Sequence, residues 1–179
     1  LNLEDIKNEV IVEGCRELES VKIDISWKPL TDGLMMFSHL YRRKWVGHIG
    51  YIIDVDCNLK KAGHLEIRGG IAHECVHIIS DTRKTRRKSS RDLRKYELSS
   101  RYCNLEEICT DIETINRGFG YDLLALELFR ERNFNHEVHG ISSKEIKDIL
   151  AIKEDLPVEF TYKDYVNLFR NGNGRNGSK

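Results

Sequence analysis

Residues 69–79 read Gly69-Gly70-Ile71-Ala72-His73-Glu74-Cys75-Val76-His77-Ile78-Ile79, and this stretch decides how the rest of the chain is interpreted. Its centre is a His-Glu-x-x-His pattern. Residues four apart lie on one face of an α-helix, so His73 and His77 would present two imidazoles to one point in space. Apolar residues on almost every other side predict that this helix, over about 70–80, is buried.

Two imidazoles at one point are two of the ligands that a tetrahedral zinc ion needs. Glu74 lies about 100° round the helix from His73, where its carboxylate can reach a water on the metal without being a ligand. Burying these groups without partners would be costly, and a metal ion removes that cost. The pattern therefore predicts the helix of a zinc-dependent hydrolase. The alternative is a core helix whose histidines are satisfied by backbone carbonyls.

Length and composition favour one compact domain. With 179 residues, of which 40% are hydrophobic, the chain can build one sizeable core, expected over residues 1–170. The formal net charge is zero, so no global field points to nucleic acid or to a membrane surface. The five cysteines have no paired spacing, which predicts reduced thiols in a cytoplasmic protein. We expect neither a membrane span nor a secretory leader.

Hydrophobic periodicity predicts an α+β fold, in which a small antiparallel or mixed sheet precedes the metal helix and a helical C-terminal half follows it. Strands are expected over 21–27, 45–56 and 64–67, whereas residues 34–37 fit either state. Asn104 is expected to cap a helix that starts at 105, and Ser142 or Ser143 to cap another. Helices are expected over 3–19, 105–116, 121–132, 143–154 and 162–170, with a turn over 118–120.

Residues 81–101 form a basic insertion, with nine lysines and arginines against three acidic residues. Charge runs are usually solvated, so a solvent-exposed loop is the favoured interpretation. A patch for nucleic acid or an acidic partner is the alternative, but few aromatic residues are interleaved to stack on bases. The Gly- and Asn-rich segment 171–179 predicts a disordered tail.

A catalytic zinc ion usually has three protein ligands and one open position, so a third ligand must come from elsewhere in the chain. The segment 105–115 predicts an amphipathic helix with one apolar stripe. Glu107 and Asp111 are four residues apart and lie together along one border of that stripe. Both carboxylates can face a buried site from a helix packed beside His73 and His77. An exposed acidic border is the alternative.

His-Glu-x-x-His followed by Glu-x-x-x-Asp on a later helix resembles the gluzincin metallopeptidases, the group that includes thermolysin. The resemblance covers residues 69–80 and 104–116. It implies a zincin-like fold with one Zn²⁺ per chain, in which Glu107 is the third ligand and Asp111 hydrogen-bonds His73. Ligating imidazoles nearly always donate their other N–H to an oxygen, which gives the role of Asp111 a physical reason. The alternative is that Asp111, instead of Glu107, is the third zinc ligand.

The resemblance also implies the reaction, in which Glu74 activates a zinc-bound water that hydrolyses a peptide bond in a peptide or protein substrate. In zincin-type enzymes an extended substrate pairs with a sheet edge beside the active-site helix. The strand near 47–55 and the segment 64–67 are the candidates for that edge. The competing interpretation is a non-catalytic zinc-stabilised domain whose basic loop binds nucleic acid or an acidic partner.

Other zinc peptidase patterns fit less well. The metzincin pattern needs a glycine and a third histidine soon after His77, where this chain has Asp81-Thr82-Arg83. Glu13-Gly14-Cys15 invites comparison with peptide deformylases, but Cys15 falls on the apolar stripe of a predicted helix and is expected in the core. Cys75 points away from the two histidines and is also expected in the core.

The reaction needs a donor that stabilises the oxyanion formed on the attacked carbonyl. Four residues that follow the ligand helices are candidates by position, although an ordinary loop or surface role is favoured for each one taken separately. They are His139, His136, Tyr121 and Arg117.

Overall fold

The computed structural model describes residues 1–30, 35–42, 49–84, 95, 98–134, 140–155 and 159–171. Within these ranges the fold is mixed α+β and mostly helical, as the periodicity predicts. Short 3-10 turns cover Arg16–Leu18 and Cys57–Lys61, and π-helical turns cover Ile115–Phe119 and Val166–Arg170. The main elements are α1 (Leu3–Gly14), β1 (Ile23–Lys28), β2 (Met36–Arg42), β3 (Ile49–Asp56), α2 (His64–Thr82), α3 (Ser100–Thr114), α4 (Gly120–Asn133), α5 (Ser143–Asp155) and α6 (Tyr162–Tyr165).

The sheet has three strands in the order β1-β3-β2, so β3 is central and is paired on both sides. β1 runs parallel to β3, with Ile25 opposite Ile53, and β2 runs antiparallel to it, with Ser38 opposite the same residue. The sheet is therefore mixed. β2 lies at one edge and packs against α2.

The predicted strand over 64–67 is wrong, because these residues form the first turn of α2. Two apolar residues in four suggest alternation, but Ile67 also continues the helical spacing to Ile71 and Cys75. All three side chains are completely buried. The helical period therefore extends back to His64, and the tertiary packing selects it.

The predicted cap at Asn104 is also wrong. α3 starts at Ser100, five residues earlier than predicted, because the side chain of Ser99 accepts a hydrogen bond from the Tyr102 amide at 3.3 Å and caps the helix there. Asn104 lies inside α3. Ser142 is the cap of α5, since its hydroxyl accepts from the Glu145 amide at 3.4 Å while the Glu145 carboxylate accepts from the Ser142 amide at 2.9 Å.

Most of the predicted basic insertion and residues 172–179 of the predicted tail lie outside the described residues, as do residues 45–48 of the predicted second strand. Residues 81 and 82, at the start of the insertion, belong to α2, and residues 100 and 101, at its end, belong to α3. Among the helices of the described residues, none combines the length and the apolar character needed to cross a membrane.

The described apolar side chains form two clusters, one around α1, the sheet and α2, and the other around α3, α4, α5 and α6. α2 contacts α1, β2, α3 and α4. Its close approach to α4 depends on Gly69, where a Cβ atom would overlap the backbone carbonyl of Asp122. This packing holds the following turn of α2, which carries His73, inside the molecule.

Candidate metal centre

Three side chains from two helices converge on one point. Nε2 of His73 lies 3.0 Å from Nε2 of His77 and 3.1 Å from Oε2 of Glu107, and Nε2 of His77 lies 3.5 Å from Oε1 of Glu107. Ligand atoms about 2.0–2.1 Å from a tetrahedral ion lie roughly 3.3 Å from one another. The trio therefore fits a single ion, and among the described residues it is the one group with metal-ligand chemistry and spacing.

The positions of these residues along their helices explain why the three side chains meet. His73 and His77 are one turn apart on α2, and Glu107 lies on the face of α3 that packs beside it. The exposed fractions of the three side chains are 15%, 25% and 14%. The three side chains are thus mostly, but not completely, shielded from bulk water.

Asp111 lies behind His73. Its Oδ1 accepts a hydrogen bond from Nδ1 of His73 at 2.8 Å, and its Oδ2 accepts from the Ile141 amide at 2.8 Å. Both carboxylate oxygens are used in this way, which favours Asp111 as the partner of His73 over the alternative in which it is the third ligand. Its bond holds a proton on Nδ1, so Nε2 is the nitrogen that remains for a metal ion.

The close packing of imidazoles and carboxylates shifts the pKa values of His73 and Glu107 in opposite directions. Burial lowers the pKa of His73, but its hydrogen bonds to the Asp111 and Glu107 carboxylates outweigh this effect and hold the pKa well above its usual value. Burial raises the pKa of Glu107, but His73 and His77 outweigh it and hold the pKa far below its usual range. The same negative charge that favours a protonated His73 would attract a divalent cation to the ligand atoms.

Glu74 follows His73 on α2 and is buried, and it does not belong to the trio. Its Oε2 accepts a hydrogen bond of 2.9 Å from the backbone amide of Ser38 on β2. The helix thus places this carboxylate next to a ligand, and the edge strand fixes its direction. No sequence pattern points to Ser38, because residues 34–37 fit either state and the register of β2 is not predictable from the sequence.

His77 has a partner that sequence reasoning missed. Oγ1 of Thr110 lies 3.4 Å from Nδ1 of His77, and the same hydroxyl donates to the Glu106 carbonyl at 2.9 Å. Thr110 is three residues after Glu107 and one before Asp111. Its position on the same helix face as Glu107 was readable from the helical period, but a threonine is not a residue type that draws attention in a search for ligands.

The chain returns to the site at Gly140. The Gly140 amide donates to the side-chain oxygen of Asn104 at 3.0 Å, and its φ of +95° lies in the region that favours glycine. A Cβ atom at Gly140 would overlap Oδ2 of Asp111. His136 and His139, two predicted oxyanion donors, lie outside the described residues, although the backbone that follows His139 is beside Asp111.

The other predicted donors have partners elsewhere. Tyr121 is exposed on α4, and its hydroxyl bonds Glu154 of α5. Arg117 donates to the Gly14 carbonyl at 2.7 Å and to Glu17 at 3.0 Å, next to α1. The structure therefore does not bring these two side chains to the ligand trio.

Cys15 and Cys75 are both completely buried in the first apolar cluster, as predicted, so neither is placed among the metal ligands. The peptide deformylase comparison required Cys15 as a ligand. That comparison therefore finds no support in the geometry of the site.

The chain gives no lead from known proteins, because no protein-family model, no curated protein and no solved structure matches it.

Proposed function

We propose that this protein is a zinc-dependent metallopeptidase of the gluzincin type. The observation that supports this most directly is the convergence of His73, His77 and Glu107, with the buried Glu74 next to His73 on α2 and outside the ligand set. Two imidazoles and one carboxylate are the donor set of catalytic zinc in peptidases, and three protein ligands leave a position for water or substrate. None of the five cysteines, all of which lie among the described residues, belongs to this group of ligand atoms.

A zinc ion held by these ligands would lower the pKa of water towards about 7 and polarise the carbonyl of the scissile bond. Glu74 accepts the proton of the attacking water and later delivers it to the leaving amine. The Ser38 amide, which donates to Oε2, orients the carboxylate and leaves the other oxygen to exchange the proton. His73 keeps its Nε2 aimed at the ion because Asp111 holds its Nδ1.

A peptide substrate is favoured by the position of β2. The predicted edge candidates do not fit, since β3 is central and residues 64–67 are helical. β2 is the outer strand beside α2, and the Ser38 amide points away from β3 towards Glu74. In an antiparallel strand alternate residues turn their N–H and C=O groups the same way, so the backbone at 36 and 40 also faces outward. An extended peptide adding to this edge would lie next to Glu74.

The first test is the metal content of the purified protein. We expect one zinc per chain in the wild type, loss of zinc in Glu107→Ala and weaker binding in Asp111→Ala. Glu106→Ala is the matched control, because Glu106 precedes the ligand on the same helix and lies outside the trio. A wild type that binds no transition metal would overturn the proposal, and full binding by Glu107→Ala would remove Glu107 from the site.

The second part of the test is hydrolysis of a mixed library of fluorescent peptides by zinc-loaded protein. Glu74→Gln keeps the shape of the side chain but cannot accept the proton, so we expect unchanged zinc content and a rate at least about 100-fold lower. A variant with full activity would contradict the role of Glu74. A zinc-loaded wild type without hydrolysis of any peptide would favour the non-catalytic interpretation.

A further inference from the structure

The hydroxyl of Thr110 has only one hydrogen, and that hydrogen is already used. Thr110 is buried on α3, and its Oγ1 donates to the Glu106 carbonyl at 2.9 Å. Its contact of 3.4 Å with Nδ1 of His77 must therefore run in the other direction. Nδ1 carries the proton and donates, and the threonine oxygen accepts.

We propose that Thr110 is a positioning residue for His77, an inference that rests on the proposed zinc site. With its proton held on Nδ1, the imidazole of His77 presents the lone pair of Nε2 to the point shared with His73 and Glu107. Asp111 does the same for His73. Helix α3 thus supplies the third ligand and the anchors of both histidines, all within two turns.

A neutral anchor suits this position because of the charge already present. Glu107 and Asp111 together match the two positive charges of a zinc ion, and the Glu74 carboxylate is buried close by. A second carboxylate anchor, behind His77, would add uncompensated negative charge to a partly buried site. The Thr110 hydroxyl fixes the tautomer of His77 without adding a negative charge to the site.

The inference is tested with two substitutions of opposite character and a matched control. Thr110→Val keeps the shape and removes the acceptor, whereas Thr110→Ser keeps the hydroxyl and removes the methyl group. Thr114→Val is the control, because the buried Thr114 hydroxyl makes the same kind of bond, to the Thr110 carbonyl at 2.8 Å, and that bond involves neither histidine. Zinc affinity is measured by competition with a chromophoric chelator.

We expect Thr110→Val to bind zinc about 10- to 100-fold more weakly, as is usual when the partner of a ligating histidine is lost. Thr110→Ser and Thr114→Val should stay within about threefold of the wild type, in keeping with the small change each makes at the site. If the residue serves packing alone, the order reverses, with Thr110→Ser weaker and Thr110→Val unchanged. Either that reversal or equal losses in Thr110→Val and Thr114→Val would overturn the inference.

A second readout is the ring nitrogen spectrum of His77 in the zinc-loaded protein, recorded by long-range ¹H–¹⁵N NMR. We expect a protonated Nδ1 in the wild type, and a signal from that proton that exchanges faster with water in Thr110→Val. A wild type whose metal-bound nitrogen is Nδ1 would overturn the inference while leaving the zinc site intact. A wild type that binds no zinc would overturn both this inference and the proposed function.

Discussion

Glu127 is a buried carboxylate that the proposed chemistry does not use. It lies on α4 and pairs with Arg130, one turn further along the helix. Burial raises its pKa to about 8, helped by the nearby charge of Asp111 and opposed by Arg130 and His73. The surroundings thus hold Glu127 in its protonated form at neutral pH, and ionising it at higher pH costs the folded chain stability.

This cost predicts a dependence of stability on pH in the metal-free protein. The folded pKa of about 8 lies above the ordinary value of 4.5, so the folded state binds more protons between these values. The free energy of unfolding therefore falls as pH rises from about 4.5 to 8. Glu127→Gln removes this loss, and we expect the variant to gain at least about 1.4 kcal/mol over the wild type between pH 5 and pH 9.

Urea unfolding in the presence of a chelator, at both pH values, measures the gain. Asp148→Asn is the control, because Asp148 is exposed on α5 and is not among the charges that shift the pKa of Glu127. Its effect on the free energy of unfolding should be small, and the same at the two pH values. A Glu127→Gln variant whose advantage does not grow with pH would show that the carboxylate is not held protonated by its surroundings.

At the scale of elements, the site depends on the segment that returns to it at Gly140. Asn104 of α3 accepts from the Gly140 amide, and the next amide, of Ile141, donates to Asp111. Asp111 thereby links this segment to His73 on α2. Three separate parts of the chain meet at one carboxylate, so its orientation is set by their packing and not by α3 alone.

Gly140→Ala is expected to weaken zinc binding by about tenfold or more, because the new Cβ displaces the carboxylate that orients His73. Gly118→Ala is the matched control. Gly118 has a similar φ of +97°, but a Cβ there would meet no atom within 4 Å. Both variants carry the backbone strain of about 1–2 kcal/mol, and only Gly140→Ala moves Asp111. Chelator competition and thermal unfolding measure the two effects, and equal zinc affinities would contradict this account.

At the scale of the whole molecule, the candidate metal ligands lie on two helices that belong to different apolar clusters. α2 belongs to the cluster with the sheet, whereas α3 belongs to the cluster with α4 and α5. An ion held by His73, His77 and Glu107 would bind only when the two helices are packed together. Metal binding should therefore stabilise the folded chain as a unit.

Free zinc at about 1,000 times its dissociation constant should add about 4 kcal/mol to the free energy of unfolding. For a chain of this size that corresponds to a rise in Tm of roughly 10 °C. Differential scanning calorimetry with zinc, with magnesium and on Glu107→Ala checks the expectation. Magnesium prefers all-oxygen octahedral sites and should give little shift. A similar rise with zinc in Glu107→Ala would mean that the stabilising site lies elsewhere.

The sequence by itself determined the local features. The helical period of residues 71–79 indicated that this part of α2 is buried, and the spacing of four placed His73 and His77 on one face. Glu107 and Asp111 followed from the same rule on α3. Such predictions of which residues share a helix face depend only on the geometry of one helix, which a few consecutive residues determine.

Only the tertiary structure decided the remaining features. Packing between distant segments made residues 64–67 helical and placed β2 at the edge of the sheet. It also brought the Ser38 amide to Glu74. The meeting of Thr110 with His77 and of Gly140 with Asp111 likewise joins residues about 30 positions apart. No local pattern encodes such contacts, because their free energy arises from burial and hydrogen bonding across elements and not from the preferences of the residues themselves.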